Sequence, residues 1–190
     1  ETVIARHYAR DARRLLRPRR RLGALPGLVG VVERRVPFGV VGVIAPWNYP
    51  LTLAISDAIP AMMAGNCVVV KPDVQTTLSA LWIADLLQRA GLPPGVFTVV
   101  AGEGSVVGPL VIDRSDYVMF TGSTAVGRGV AARCGELLIG CSMELGGKNA
   151  MIVRGDAYIA AAAALACRAS FSNSGQLCIS MERIYVDQSI

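Results

Sequence analysis

Residues 36–56 carry no charged side chain over 21 consecutive positions, bounded by Arg35 and Asp57. A run of that length can cross a bilayer as one helix or lie buried inside a folded domain. Pro37, Pro46 and Pro50, together with Gly39, Gly42 and Asn48, decide between the two. Each interior proline removes a helical hydrogen bond and clashes with the turn before it, so one spanning helix would break repeatedly. The segment reads as a buried strand, a loop and then a helix, and no membrane association is expected.

The pattern that follows agrees with burial. Val40–Ala45, Cys67–Val70, Val96–Ala101, Tyr117–Phe120 and Cys141–Leu145 are short apolar runs. Between them, Leu51–Ala64 reads as one helix despite Pro60, and Thr76–Ala90 as another that stops at Gly91. Strands apolar on both faces and alternating with helices predict an α/β parallel sheet with helices on both faces. Such sheets bind ligands beyond the carboxyl ends of their strands. Asn48, Lys71, Gly102-Glu103-Gly104 and Thr121-Gly122-Ser123 each follow or end one of the runs, which favours a nucleotide-sized ligand at that edge.

The charge is unevenly distributed. Residues 1–35 hold ten arginines against Glu1, Asp11 and Glu33, whereas the remaining residues carry a small net negative charge. A basic arm can neutralise phosphates, but no aromatic residues interleave with arginines 13–21 to stack on bases. A solvated helix face ending in a turn at Pro18 is the simpler account, and no nucleic-acid partner is expected. With 53% hydrophobic and 17% charged residues, the chain is not a disordered segment.

Five cysteines (Cys67, Cys134, Cys141, Cys167, Cys178) contain no C-x-x-C pair, and His7 is the only histidine. A zinc site is hard to build from that set, so no metal is expected, and no histidine is placed to activate a serine or cysteine. No secretory leader pattern is recognised at the arginine-rich start, and reduced cysteines in a cytoplasmic setting are the default. Phosphate-loop patterns fall short. Gly102–Gly108 has one residue too many for G-x-G-x-x-G, and Gly122–Gly127 is followed by Arg128-Gly129 where a P-loop needs Lys and Ser or Thr. What remains is a glycine-rich opening of a helix, suited to an anion.

Five motifs then occur in order: Pro46-Trp47-Asn48-Tyr49-Pro50; Lys71-Pro72; Phe120-Thr121-Gly122-Ser123-Thr124 with Gly127; Glu144-Leu145-Gly146-Gly147-Lys148; and Gly175-Gln176-Leu177-Cys178. Together they resemble the aldehyde dehydrogenase superfamily, from about residue 36 to the end. The spacing of 34 residues between Glu144 and Cys178 is the most specific part. The wording around the motifs is most similar to succinate-semialdehyde dehydrogenases.

The resemblance implies a Rossmann-like sheet in residues 36–147, preceded by a basic helical arm and linking strand region (1–35). Residues 148–190 would be the beginning of a second α/β catalytic domain, a strand at Ala150–Val153, a helix near Ala157–Ser170 and a strand at Arg183–Val186. It implies oxidation of an aldehyde to a carboxylate with NADP or NAD, and a homo-oligomer for the complete protein. Cys178 would be the nucleophile, Asn48 the oxyanion donor, and Glu144 the base, its pKa raised by partial burial between Met143 and Leu145. A buried, inert cysteine suits Cys67 in its strand better than Cys178. Lys71 would meet the adenosine ribose or its phosphate, and Ser123 the pyrophosphate. Trp47, Val74, Val126 and Leu145 would line the cofactor groove, with Gly104 and Gly122 at the ligand edge.

Two departures from the common pattern stand out. Val74 occupies a position where many NAD-using relatives carry Glu, and Asp57 one where many carry Lys. The loss of the glutamate weakens strict NAD preference, although Asp73 is close enough to repel a phosphate as well. Two other functions remain open at this point: a coenzyme-A-acylating relative and a non-catalytic nucleotide-binding module.

Overall fold

Strands that are apolar on both faces need cover on both sides, and the chain supplies it in sequence order. A computed structural model describes residues 2–190. The elements are α1 (Thr2–Leu16), β1 (Arg19–Leu22), β2 (Gly30–Glu33), β3 (Val40–Ile44), α2 (Pro50–Ile55), α3 (Ala58–Met63), β4 (Cys67–Lys71) and α4 (Thr77–Arg89). They continue with β5 (Phe97–Val99), α5 (Gly104–Asp113), β6 (Tyr117–Thr121), α6 (Thr124–Leu137), β7 (Gly140–Glu144), β8 (Asn149–Val153), α7 (Ile159–Phe171) and β9 (Met181–Val186).

Five strands form one parallel sheet in the order β5-β4-β3-β6-β7. The chain starts in the middle at β3, steps outward through β4 to β5, then returns to the other side of β3 for β6 and β7. This is the five-strand order of a dinucleotide-binding sheet, with its reversal point between β3 and β6. Helices α2 to α4 cover one face, over a core that includes Val41, Val43, Val68, Val70, Ala80, Ile83 and Phe97. On the other face α5 and α6 pack over Ile112, Val118, Phe120, Val130 and Cys134. Val43, Val68, Val70 and Val118 are fully enclosed, as central parallel strands require. Two smaller pairs stand apart from this sheet, antiparallel β1–β2 and parallel β8–β9.

The single helix expected over Leu51–Ala64 is two helices, α2 and α3, separated at Ser56-Asp57. Pro60 explains the break. It has no N–H to donate to the Ser56 carbonyl, so the helix restarts at Ala58 and holds Pro60 in its first turn, where no such donor is needed. Buried Asn66 then ties this region to the strand edge. Its Oδ1 accepts from the N–H of Phe38 and Gly39, and its Nδ2 donates to the Ala61 carbonyl.

Gly42 shows how closely α5 approaches the sheet. A Cβ on Gly42 would meet the Ser115 hydroxyl and would lie 2.9 Å from Val111 Cγ1. Gly42→Ala is expected to destabilise the chain by about 1–3 kcal/mol through overpacking, read as a lower urea midpoint at unchanged slope.

Candidate active site

The register of the sheet decides what meets at its carboxyl edge. Ile44 pairs with Lys71 on one side and Phe120 on the other, and Thr121 pairs with Glu144. The segments leaving β3, β6 and β7 therefore emerge side by side at the reversal point, and the Gly122 N–H donates to the Glu144 carbonyl at 3.0 Å. Above them lies a cleft of about 320 Å³, lined by Trp47, Asn48, Gly122, Ser123, Glu144, Leu145 and Cys178, among others. Residues 130 positions apart in sequence thus share one cavity.

Asn48 is half-buried where β3 gives way to α2. Its Nδ2 donates to the Gln176 carbonyl at 2.8 Å, and its Oδ1 is buried without a partner. Cys178 is exposed in the loop between α7 and β9. Ser123 is the N-cap of α6, accepting from the Val126 N–H at 3.3 Å. The cap leaves the first N–H groups of a 14-residue helix facing the cleft edge, an arrangement suited to a phosphate. Gly127 in the same helix is buried, and a side chain there would collide with Leu145 and Phe120. Glu144 is exposed, so the partial burial expected of it is absent; only its neighbours Met143 and Leu145 are half-buried.

A second cavity of about 540 Å³ lies between α5 and α6, lined by Ile44, Gly104, Gly108, Pro109, Val126 and Gly129, among others. Val126, expected to line a cofactor groove, and Gly104, expected at the ligand edge, both border it, whereas its position between α5 and α6 was not foreseen. Its signal was available in Gly104 and Gly108, four apart on one helix face, opposite Gly129 on α6. Arg133 closes one end by reaching from α6 to Asp113 of α5 at 2.8 Å. That hydrogen bond chiefly holds the Asp113 carboxyl below its usual range.

Lys71 ends β4 and is only 5% exposed. Its ammonium makes no hydrogen bond or ion pair among the described residues, and it lies beside Gly104 at the start of α5. An unpaired buried cation is costly unless an anion completes it. Asp73 accepts from the Gln75 N–H at 2.9 Å, which caps the short turn after β4, and Val74 in that turn is 43% exposed. Neither residue lines the cleft or the groove.

The cysteines separate clearly. Cys67 is exposed, contrary to the buried position expected of it, because it stands at the first position of β4 before the strand enters the core. Cys134 is the buried one, and burial followed by neighbouring Cys141 pushes its thiol up to about 11. Only Cys178 lies in the cleft.

Two residues of this region gave no warning in sequence. Asn149 Nδ2 donates to the carbonyls of Cys178, at 2.6 Å, and Ser180, at 3.0 Å. Asn173 Nδ2 donates to the Asn48 carbonyl at 3.1 Å. Single asparagines that bind main chain 29 or 125 residues away leave no local pattern.

Comparison with known proteins gives a consistent result. The sequence pattern of the aldehyde dehydrogenase family matches residues 2–190. A Mycolicibacterium smegmatis protein provisionally named succinate-semialdehyde dehydrogenase (NADP+) is 59% identical over 186 residues, covering 98% of this chain and 36% of the relative. Among solved structures, a Mycobacterium tuberculosis aldehyde dehydrogenase complexed with NAD+ superposes with a TM-score of 0.88 at 37% identity, covering 96% of this chain and 38% of that one. A 3,6-anhydro-L-galactose dehydrogenase in complex with NADP superposes with a TM-score of 0.92 at 33% identity, covering 99% and 39%. The chain therefore spans little more than a third of the length of the proteins it matches.

Proposed function

This chain belongs to the aldehyde dehydrogenase family, and on that premise we propose that its protein oxidises an aldehyde to a carboxylate with NADP or NAD, through a thioester on Cys178. The observation that carries this reading is the shared cleft, in which Asn48, Glu144 and Cys178 meet at the reversal point of the sheet. Succinate semialdehyde is the proposed substrate, in line with the name of the M. smegmatis relative.

The residues fit a dinucleotide. Lys71 offers a buried cation to the ribose or its phosphate, Ser123 and the start of α6 suit the pyrophosphate, and the α5–α6 groove suits a flat base. Trp47, Val126 and Leu145 supply apolar contact along the way. A dinucleotide held by these residues would supply the acceptor for the hydride that the substrate carbon loses.

The chain's own residues do the rest. The Cys178 thiolate attacks the aldehyde carbon, forming a C–S bond and placing negative charge on oxygen. The second hydrogen on Asn48 Nδ2 and the Cys178 N–H stabilise that oxyanion. After oxidation to the thioester, Glu144 removes a proton from water as the water oxygen bonds the carbonyl carbon. The C–S bond then breaks, the thiolate leaves, and the carboxylate departs.

Residues 36–147 are the proposed cofactor-binding unit, since they contain the five-stranded sheet, with 1–35 as the arm and 148–190 as the start of the catalytic domain. The reading includes a cytoplasmic setting, supported by five unpaired cysteines, and assembly of identical subunits. Among the described residues no helix is long and apolar enough to cross a membrane.

Reduction of each cofactor at 340 nm with a panel of aldehydes tests the function in the full-length protein. Free acid with stoichiometric reduced cofactor supports it. Acyl-CoA formed only when coenzyme A is added, or binding of cofactor with no turnover, would overturn it. Val74→Glu gives a second check. A carboxylate there repels a 2′-phosphate, and the unmutated Val74 leaves Lys71 free to attract one. NADP is expected to serve at least as well as NAD, and Val74→Glu to shift the kcat/KM ratio toward NAD by roughly tenfold, about 1.4 kcal/mol.

A further inference from the structure

Asn48 is gripped twice by the segment that leads to Cys178. Its Nδ2 donates to the Gln176 carbonyl, and its own main-chain carbonyl accepts from Asn173 Nδ2. The two bonds run in opposite directions between residues 128 and 125 positions apart. We infer that Asn173 is a positioning residue, which fixes the direction in which the Asn48 amide donates into the Cys178 cleft. The inference rests on the proposed role of Asn48 as oxyanion donor.

The amide geometry shows why position matters. Asn48 Nδ2 carries two hydrogens, and the bond to Gln176 consumes one. The direction of the other is then set by the plane of the amide. A flipped amide would bring Oδ1 against the Gln176 carbonyl, two acceptors facing each other, so the side chain has one usable orientation. That orientation depends on where the Asn48 main chain sits, and Asn173 holds its carbonyl.

Asn173 also meets a backbone demand. It has φ 51° and ψ 38°, Ser174 has φ 58°, and Gly175 has φ 77°, three successive residues in the left-handed region. The turn is closed by the Gln176 N–H donating to the Asn173 carbonyl at 3.1 Å. Asparagine is among the non-glycine residues that best tolerate this conformation. Position 173 thus asks for two things at once, a left-handed backbone and a side-chain donor. Glycine satisfies only the backbone demand. Aspartate tolerates the backbone but, when ionised, presents acceptors to a carbonyl. These two substitutions separate a purely conformational role from a positioning one.

The test uses the full-length protein with Asn173→Gly, Asn173→Asp, Asn48→Ala and the Asn48→Ala/Asn173→Gly double variant. Three quantities are measured: the burst rate of reduced cofactor, the Kd for cofactor, and the rate at which iodoacetamide alkylates Cys178, followed by peptide mass spectrometry. Alkylation needs the thiolate but no oxyanion donor, so it reports the thiol alone. Asn173→Gly is expected to lower the burst rate by about 10- to 100-fold, with alkylation and cofactor Kd within about twofold. In the Asn48→Ala background the same substitution should cost little, because the group it positions is gone. A wild-type burst in Asn173→Gly overturns the inference. So does an equal loss in the Asn48→Ala background, or a parallel fall in alkylation. If Asn48→Ala itself leaves the burst intact, the oxyanion reading of Asn48 fails, a result distinct from the others. Should Asn173→Gly fail to fold, Asn173→Asp decides by the same criteria.

Discussion

Cys178→Ser is expected to remove aldehyde oxidation in the full-length protein, by roughly 10⁴-fold or more, while cofactor still binds. The hydroxyl of serine is a far weaker nucleophile than a thiolate, and no histidine is near to activate it, since His7 lies on α1 and pairs with Asp11. Lys71, Ser123 and the α5–α6 groove are untouched by the change, so a cofactor Kd within a few-fold of the parent is the companion expectation. Steady-state rates with saturating aldehyde, and fluorescence titration with reduced cofactor, check the two halves separately. Residual turnover above a percent of the parent rate would assign the nucleophile elsewhere. None of the other four cysteines lines the cleft, so such a result would challenge the site itself.

Glu144→Gln is the second large effect, and its signature is in the shape of the progress curve. Glutamine keeps the size of the side chain and the β6–β7 contact made through the main-chain carbonyl of residue 144. It cannot take a proton from water. The first turnover should therefore proceed and yield about one equivalent of reduced cofactor per site, after which the rate falls by about 10²–10⁴-fold as thioester accumulates. Stopped-flow absorbance resolves the burst, and intact mass spectrometry reads the acyl group on Cys178. Loss of the burst together with the steady rate would place Glu144 in thiol activation or binding instead of hydrolysis.

The strands were legible because of where they lie. β3, β4 and β6 run through the centre of a two-sided sheet, so Val41, Val43, Val68, Val70 and Val118 must all be apolar and mark themselves in sequence. The motif residues at the strand ends were legible for a related reason: a parallel sheet delivers each end to one edge, so their positions followed from the strands. The break at Ser56-Asp57 was not legible from local preference. Apolar residues continue across it, and only the pairing of Pro60 with the carbonyl four residues earlier reveals it. The burial of Glu144 was misjudged because apolar neighbours in sequence point to other faces of a strand; Met143 faces the core while Glu144 does not. Asn149 and Asn173 could not be found at all. Their work is done through main-chain carbonyls of distant residues, whose identity is irrelevant to the bond.

The order in which the site is assembled along the chain has a consequence for its synthesis. The sheet is complete in sequence at Glu144, and Cys178 follows 34 residues later. At about 5–20 residues per second, a ribosome needs a few seconds to cover that interval. A domain-sized unit with its own core can collapse in that time, before the one accessible thiol of the cleft leaves the exit tunnel. Cys178 thus reaches the outside after the strands and strand-end loops that form the rest of its cleft, so the cleft is completed by a late segment docking on a surface already made.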